Sequence, residues 1–124
     1  MLKLLRISSI YPDFLNEIKK NILLNSDNYT DLLNKIFAQK YSVSNHITKA
    51  LAKKNYECIE VINNAEFLQK KWINEYGDSS SNENTLIQQI GYYKPDILYI
   101  GNASLVDSIF IKKIKEFNFI KLIL

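Results

Sequence analysis

Three observations predict an α/β sandwich built on a parallel sheet of about four strands. Short apolar runs at 2–7, 56–62, 97–100 and 119–124 read as strands, and the stretches between them carry helical spacing. The first run is too continuously apolar for a strand with one wet face, which points to burial on both sides and hence to a parallel sheet. The first three runs each end on polar punctuation, at Ser8-Ser9, Asn63-Asn64 and Gly101-Asn102. Strands alternating with helices imply right-handed crossovers and three layers. The expected strand order is 2-1-3-4, so the order reverses between the first and third strands.

The elements follow in order. Pro12 stops the first strand's continuation, and Asp13 can cap a helix from Phe14 to about Asn21. Asn25 to Asn28 is polar punctuation. Tyr29, Leu32, Leu33, Ile36 and Phe37 then repeat with helical spacing, with Thr30 or Asp31 as cap. A further helix is expected from about Val43 to Lys54, with Ile47, Ala50 and Leu51 inward and Lys49, Lys53 and Lys54 outward. The second strand, 56–62, alternates and is rich in β-branched residues. A helix from Ala65 to about Tyr76 follows, with Trp72 and Phe67 as packing residues. Residues 77–82, rich in Gly, Ser, Asp and Asn, are the clearest break. Asn82 can cap a helix over 83–92, which Lys94-Pro95-Asp96 ends. The last helix is expected over 105–117, with Ile109, Phe110 and Ile114 inward and the lysines outward.

The 124 residues are expected to form one domain, truncated after its fourth strand, because the final apolar run has no covering helix after it. A formal charge of +3, with like charges in pairs at most, gives no support for a nucleic-acid partner. Neither a membrane span nor a signal peptide is expected, and the predicted location is cytoplasmic. The lone Cys58 excludes an internal disulfide and reads as a buried hydrophobe. One histidine and no paired carboxylate–histidine motif leave no basis for a metal site.

In an open parallel sheet, ligands bind outside the carboxyl ends of the strands, where the order reverses. That rule makes 8–13 and 101–104 the candidate site loops. Ser8 and Ser9 could hydrogen-bond a hydroxyl or a phosphate, or merely end the strand. Tyr11-Pro12 could set an aromatic face for a sugar or base, or form a plain turn. Asn63 and Asn64 could read a sugar hydroxyl or serve the turn, and Asn102 would line the same crevice. His46, near the start of its helix, could act as a general base or remain a surface histidine. With three glycines and no Gly-x-Gly-x-x-Gly or Walker lysine motif, the chain cannot build a usual phosphate-cradling turn. A two-component receiver domain is excluded too. It needs an acidic pair after the first strand and an Asp after the third, where this chain has Ser8-Ser9 and Gly101-Asn102.

Four segments carry a resemblance. The opening Leu4-Leu5-Arg6-Ile7-Ser8-Ser9-Ile10-Tyr11-Pro12 resembles the first strand and Tyr-Pro loop of GT-B glycosyltransferases. The others are 46–61, a His followed by an apolar helix face, a basic turn and a strand, then 63–72, then 93–99. Their order resembles the N-terminal domain of bacterial GT-B enzymes of the group 1 type, related to the CgeB-like spore-maturation proteins. The resemblance implies a Rossmann-like acceptor-side domain that holds a sugar or glycan acceptor. The nucleotide-sugar donor would bind a C-terminal domain missing from this chain, and no other cofactor or obligatory metal is implied. His46 would be the catalytic candidate, with Ser8, Ser9, Tyr11, Asn63 and Asn102 lining the cleft. The chain lacks the Gly-Gly pair many such enzymes carry after the Tyr-Pro loop, and alone it is expected to catalyse nothing. The rival expectation is a non-catalytic flavodoxin-like binding module. A fragment should expose apolar surface at its fourth strand, which a homo-oligomer could cover; a complete module should not.

Overall fold

The computed structural model describes residues 1–21, 28–39, 44–102 and 106–124. Four parallel strands, β1 (Leu2–Ser8), β2 (Tyr56–Ile62), β3 (Ile97–Ile100) and β4 (Leu122–Ile123), form one sheet in the order β2-β1-β3-β4. Among the described residues, six helices connect them: α1 (Pro12–Asn21), α2 (Tyr29–Ala38), α3 (His46–Ala52), α4 (Glu66–Tyr76), α5 (Thr85–Tyr93) and α6 (Ser108–Lys115). The chain is thus a Rossmann-like three-layer α/β domain, with the expected strand order.

The two faces of the sheet differ in chemistry. Leu5, Ile7, Val61 and Leu98 pack under Leu86, Ile87 and Ile90 of α5 and Phe110 and Ile114 of α6. The buried part of this face is apolar, as strands beneath helices require, with Lys3 and Glu57 at its margin. The opposite face carries Arg6 and Glu60, partners in the β1–β2 register, which pair at 3.2 Å. A second core joins α1, α2 and α4 around Ile62, Ile10, Leu32, Leu68 and Trp72. Tyr93 packs against both cores.

Several helix boundaries and faces differ from expectation, each for an identifiable reason. α1 begins at Pro12 rather than Phe14. The Tyr11 carbonyl accepts from the Phe14 and Leu15 amides, so Pro12 occupies the first helical position, where its missing N–H costs nothing. Asn28, not Thr30 or Asp31, caps α2, with its side chain accepting from the Asp31 amide at 2.9 Å. Asn84, not Asn82, caps α5 through the Ile87 amide at 2.8 Å. α3 starts at His46, and the expected start at Val43 lies outside the described residues. Its inner face is turned from the apolar stripe: Ile47 and Ala50 are exposed and Thr48 is buried, because Thr48 Oγ1 donates to Glu60 Oε1 at 2.7 Å. α6 is shorter than expected and starts at Ser108, capped by Asp107 on the Phe110 amide. Ile109, expected inward, is 70% exposed. Cys58 is half-buried rather than buried.

The edge strand is short. Of the predicted 119–124, Leu122–Ile123 pairs with β3, and Leu122, Ile123 and Leu124 are all exposed. Asp96 ties this edge to the sheet centre, accepting from the Lys3 amide at 2.9 Å and lying 3.3 Å from Lys121 Nζ.

Gln69 of α4 and Gln89 of α5 are buried and exchange two amide bonds, 2.9 and 3.0 Å long. This closed pair sets one helix against the other, since any slip orphans two buried amides. Gln69→Leu should cost about 1–3 kcal/mol by stranding Gln89, whereas Gln69→Leu/Gln89→Leu should be close to neutral. Urea midpoints of both variants check this. A double variant as unstable as the single would show that packing, not the amide pair, sets the interface.

Candidate functional site

The carboxyl edge of the sheet is stitched by backbone bonds. The Asn63 amide donates to the Ser8 carbonyl at 2.9 Å, and the Gly101 amide to the Ile7 carbonyl at 2.8 Å. A Cβ on Gly101 would lie 2.9 Å from the Ile7 carbonyl oxygen, so glycine is what lets the end of β3 close on β1. Ser8, Asn63 and the Gly101-Asn102 turn are therefore brought to one edge.

The loop after β1 is pinned rather than open. The Asn64 side chain accepts from the Ile10 amide at 2.9 Å and donates to the Ile10 carbonyl at 2.6 Å. Asn64 is thereby spent on the chain 54 residues earlier. Ser8 is buried, and its hydroxyl has no hydrogen-bond partner among the described residues. Ser9 and Asn102 are half-buried. Tyr11 is 69% exposed, with its ring edge-on to Phe14 at 6.1 Å. Of the partner loop 101–104, residues 103 and 104 lie outside the described residues.

His46 opens α3 over the face that carries Arg6 and Glu60. That position is set by Arg6 Nη1, which donates to the Ser44 carbonyl at 2.6 Å, and by the Thr48–Glu60 bond. The imidazole is exposed, and the His46 amide donates to Ser44 Oγ at 3.2 Å.

A cleft of about 670 Å³ opens beside the end of β2, between α4, α5 and the connection 77–84. Of the candidates named from sequence, Asn63 lines it; Ser8, Ser9, Tyr11, His46 and Asn102 do not. Its α4 wall combines Gln69 and Ile73 with a stripe spaced one helical turn apart, Glu66, Lys70 and Asn74. The side chains of Asn63, Glu66, Lys70 and Asn74 make no hydrogen bond or ion pair among the described residues. Across the cleft, Asp78 and Glu83 are already engaged. The Ser80 hydroxyl and amide hold the Asp78 carboxyl below its usual range, and Glu83 lies 2.6 Å from Lys113 Nζ. A second cleft of about 340 Å³ adjoins the first, sharing Asn63, Glu83, Asn84 and Leu86 and reaching α6 at Ile109.

Sequence reasoning missed the α4 stripe, because nothing local distinguishes a polar helix face that lines a cleft from one that faces bulk water. The 77–82 break was visible, though not that it folds back along α4.

Among the described residues, no group of three or more His, Cys, Asp or Glu is placed to hold a metal ion, and no helix is long and apolar enough to cross a membrane. No family model matches the chain, and no curated protein or solved structure matches it.

Proposed function

We propose that the chain binds a polyhydroxylated acceptor, a sugar or glycan, in the cleft along α4, as the acceptor-side domain of a glycosyltransferase. The observation that carries this reading is the row of unengaged side chains, Asn63, Glu66, Lys70 and Asn74. A ligand rich in hydroxyls needs partners that donate and partners that accept. An amide does both, a carboxylate accepts and an ammonium donates. Ligand pockets are usually mostly apolar; here Ile73 and Leu86 are the apolar lining residues, which disfavours a flat aromatic cofactor. Three carboxylates, Glu66, Asp78 and Glu83, against Lys70 disfavour a phosphate. The nucleotide-sugar donor would bind a second domain, and this chain would contribute by holding the acceptor hydroxyl in place. His46 does not line the cleft, so the positioning role falls to the α4 row.

A second reading, a non-catalytic flavodoxin-like interaction module, is favoured by one observation. Tyr76 and Tyr92 are exposed and pack 5.6 Å apart over the buried Trp72, an aromatic surface suited to a protein partner.

Amide NMR of the labelled chain tests both readings. Glucose, galactose, N-acetylglucosamine and their disaccharides, added to millimolar levels, should shift Asn63, Glu66, Lys70 and Asn74. The shifts should vanish in Glu66→Ala/Asn74→Ala. Shifts confined to Ser9, Tyr11 and Asn102 would move the acceptor to the β1–β3 crevice. No shift with any sugar would overturn the acceptor reading and leave the interaction module.

A further inference from the structure

The connection between α4 and α5 lines both clefts, through Asp78, Ser79, Ser81, Glu83 and Asn84 on one side and Asn82, Glu83 and Asn84 on the other. We propose that residues 78–84 form a latched strap. The Lys113–Glu83 ion pair ties it to α6 beside the second cleft, and release of that pair loosens the wall that the two clefts share. The purpose of such a strap rests on the ligand reading above; its mechanics do not.

The two ends of the strap are held differently. At its base, Gly77 is pressed onto α4: a Cβ there would lie 2.8 Å from Ile73 Cδ1 and 2.8 Å from Trp72 Cζ3. Gln88 of α5 then clamps the backbone. Its Oε1 accepts from the Asp78 amide at 2.8 Å, and its Nε2 donates to the carbonyls of Asp78 and Glu83 at 3.1 and 3.2 Å. Asn84 fixes the far end as the cap of α5. All of these are neutral bonds within α4, α5 and their connection. The tie to α6 is of another kind. Lys113 Nζ reaches Glu83 Oε1 at 2.6 Å across 30 residues of sequence, and both side chains are about 40% exposed. An ion pair so exposed weakens as salt rises, while neutral amide bonds do not respond in the same way. The strap is therefore clamped at Gln88 and gated at Lys113.

The strap carries its own reporters. The amides of Asp78, Ser80, Ser81 and Glu83 are all hydrogen-bonded, to Gln88, Asp78, Asp78 and Ser81 respectively. Hydrogen exchange of the free chain, read by mass spectrometry, tests the latch without any ligand. Lys113→Met and Glu83→Ala should each speed exchange over 78–84 by about threefold, the scale set by one exposed ion pair. The double variant should be no faster than either single one. The wild-type chain in about 1 M salt should move part of the way toward the variants, because the 2.6 Å pair is no wider than the screening length of about 3 Å. Exchange over α4 and α5 should not change. Unchanged strap exchange in both variants, or effects that add in the double variant, would overturn the latch. If Lys113→Met also loosens α6, Glu83→Ala decides, because it leaves α6 intact. The sugar titration and this exchange experiment fail independently, since neither uses the other's probe.

Discussion

Glu60→Ala is expected to destabilise the domain by about 3–5 kcal/mol, the usual consequence of stranding one half of a buried ion pair. Arg6 and Glu60 keep 15% and 8% of their side-chain surface. Arg6 Nη1 serves the Ser44 carbonyl and Glu60 together, and the guanidinium carbon lies 5.8 Å from the Tyr99 ring centre. Without Glu60 the guanidinium keeps one carbonyl and a ring face, and Thr48 loses the acceptor that turns it inward. Arg6→Met/Glu60→Leu should recover most of the loss, because matched apolar groups remove both desolvation costs at once. The pH dependence has a definite sign. Burial pushes the Glu60 carboxyl above its usual range, and the bonds from Thr48 and Arg6 offset this only in part. A carboxyl raised in the folded state contributes stability below its unfolded value, and that contribution is lost as pH rises toward the folded value. The wild-type chain should therefore lose ground to the apolar double variant as pH rises through that window. Urea unfolding followed by circular dichroism measures both effects. A loss below about 1 kcal/mol in Glu60→Ala would mean that Arg6 finds water when its partner goes.

Trp72→Ala is the second large effect, at about 3–5 kcal/mol for removing a fully buried indole. Trp72 is 1% exposed and its Nε1 donates to the Tyr93 hydroxyl at 3.0 Å. Its ring meets Tyr76, Tyr92 and Tyr93 at 5.9, 5.6 and 6.2 Å. Because Tyr93 packs against both cores, the indole couples the α1–α2–α4 core to the one beneath α5 and α6. Trp72→Phe keeps most of the packing and loses the indole bond, so its cost should fall to about 1–2 kcal/mol. The chain has one tryptophan, so unfolding of both variants must be followed by circular dichroism rather than fluorescence. Equal losses in the two variants would show that the Tyr93 bond, and not ring packing, carries the contribution.

The strands were legible because their signal is local. The run at 2–7 announces itself by continuous apolar character, 56–62 by alternation and β-branched residues and 97–100 as a short apolar run, and β1, β2 and β3 form there with at most one residue's change. Helix crossovers of ordinary length and handedness then leave little freedom in the strand order. Trp72 as a packing residue was equally plain, since a large ring on an amphipathic helix has few other places to go.

What escaped local reading depends on partners far away in the chain. Thr48 turns inward, against the apolar stripe of its own helix, because Glu60 waits on β2. Asn64 closes on Ile10 across 54 residues, and so a residue that reads as a sugar ligand or turn former becomes a clamp. Asn28 and Asn84 win the caps from neighbours with equal capping chemistry, because chain direction at the helix entry, not side-chain type, selects the cap. The cleft is the strongest case. Glu66, Lys70 and Asn74 are polar positions one turn apart in the sequence, and become the wall of a cleft when 78–84 lies beside them under the hold of Gln88 and Lys113. Periodicity, a short-range property, carried the strands, and the crossover rules carried their order. The cleft is a space between segments, and its walls exist once those segments are packed.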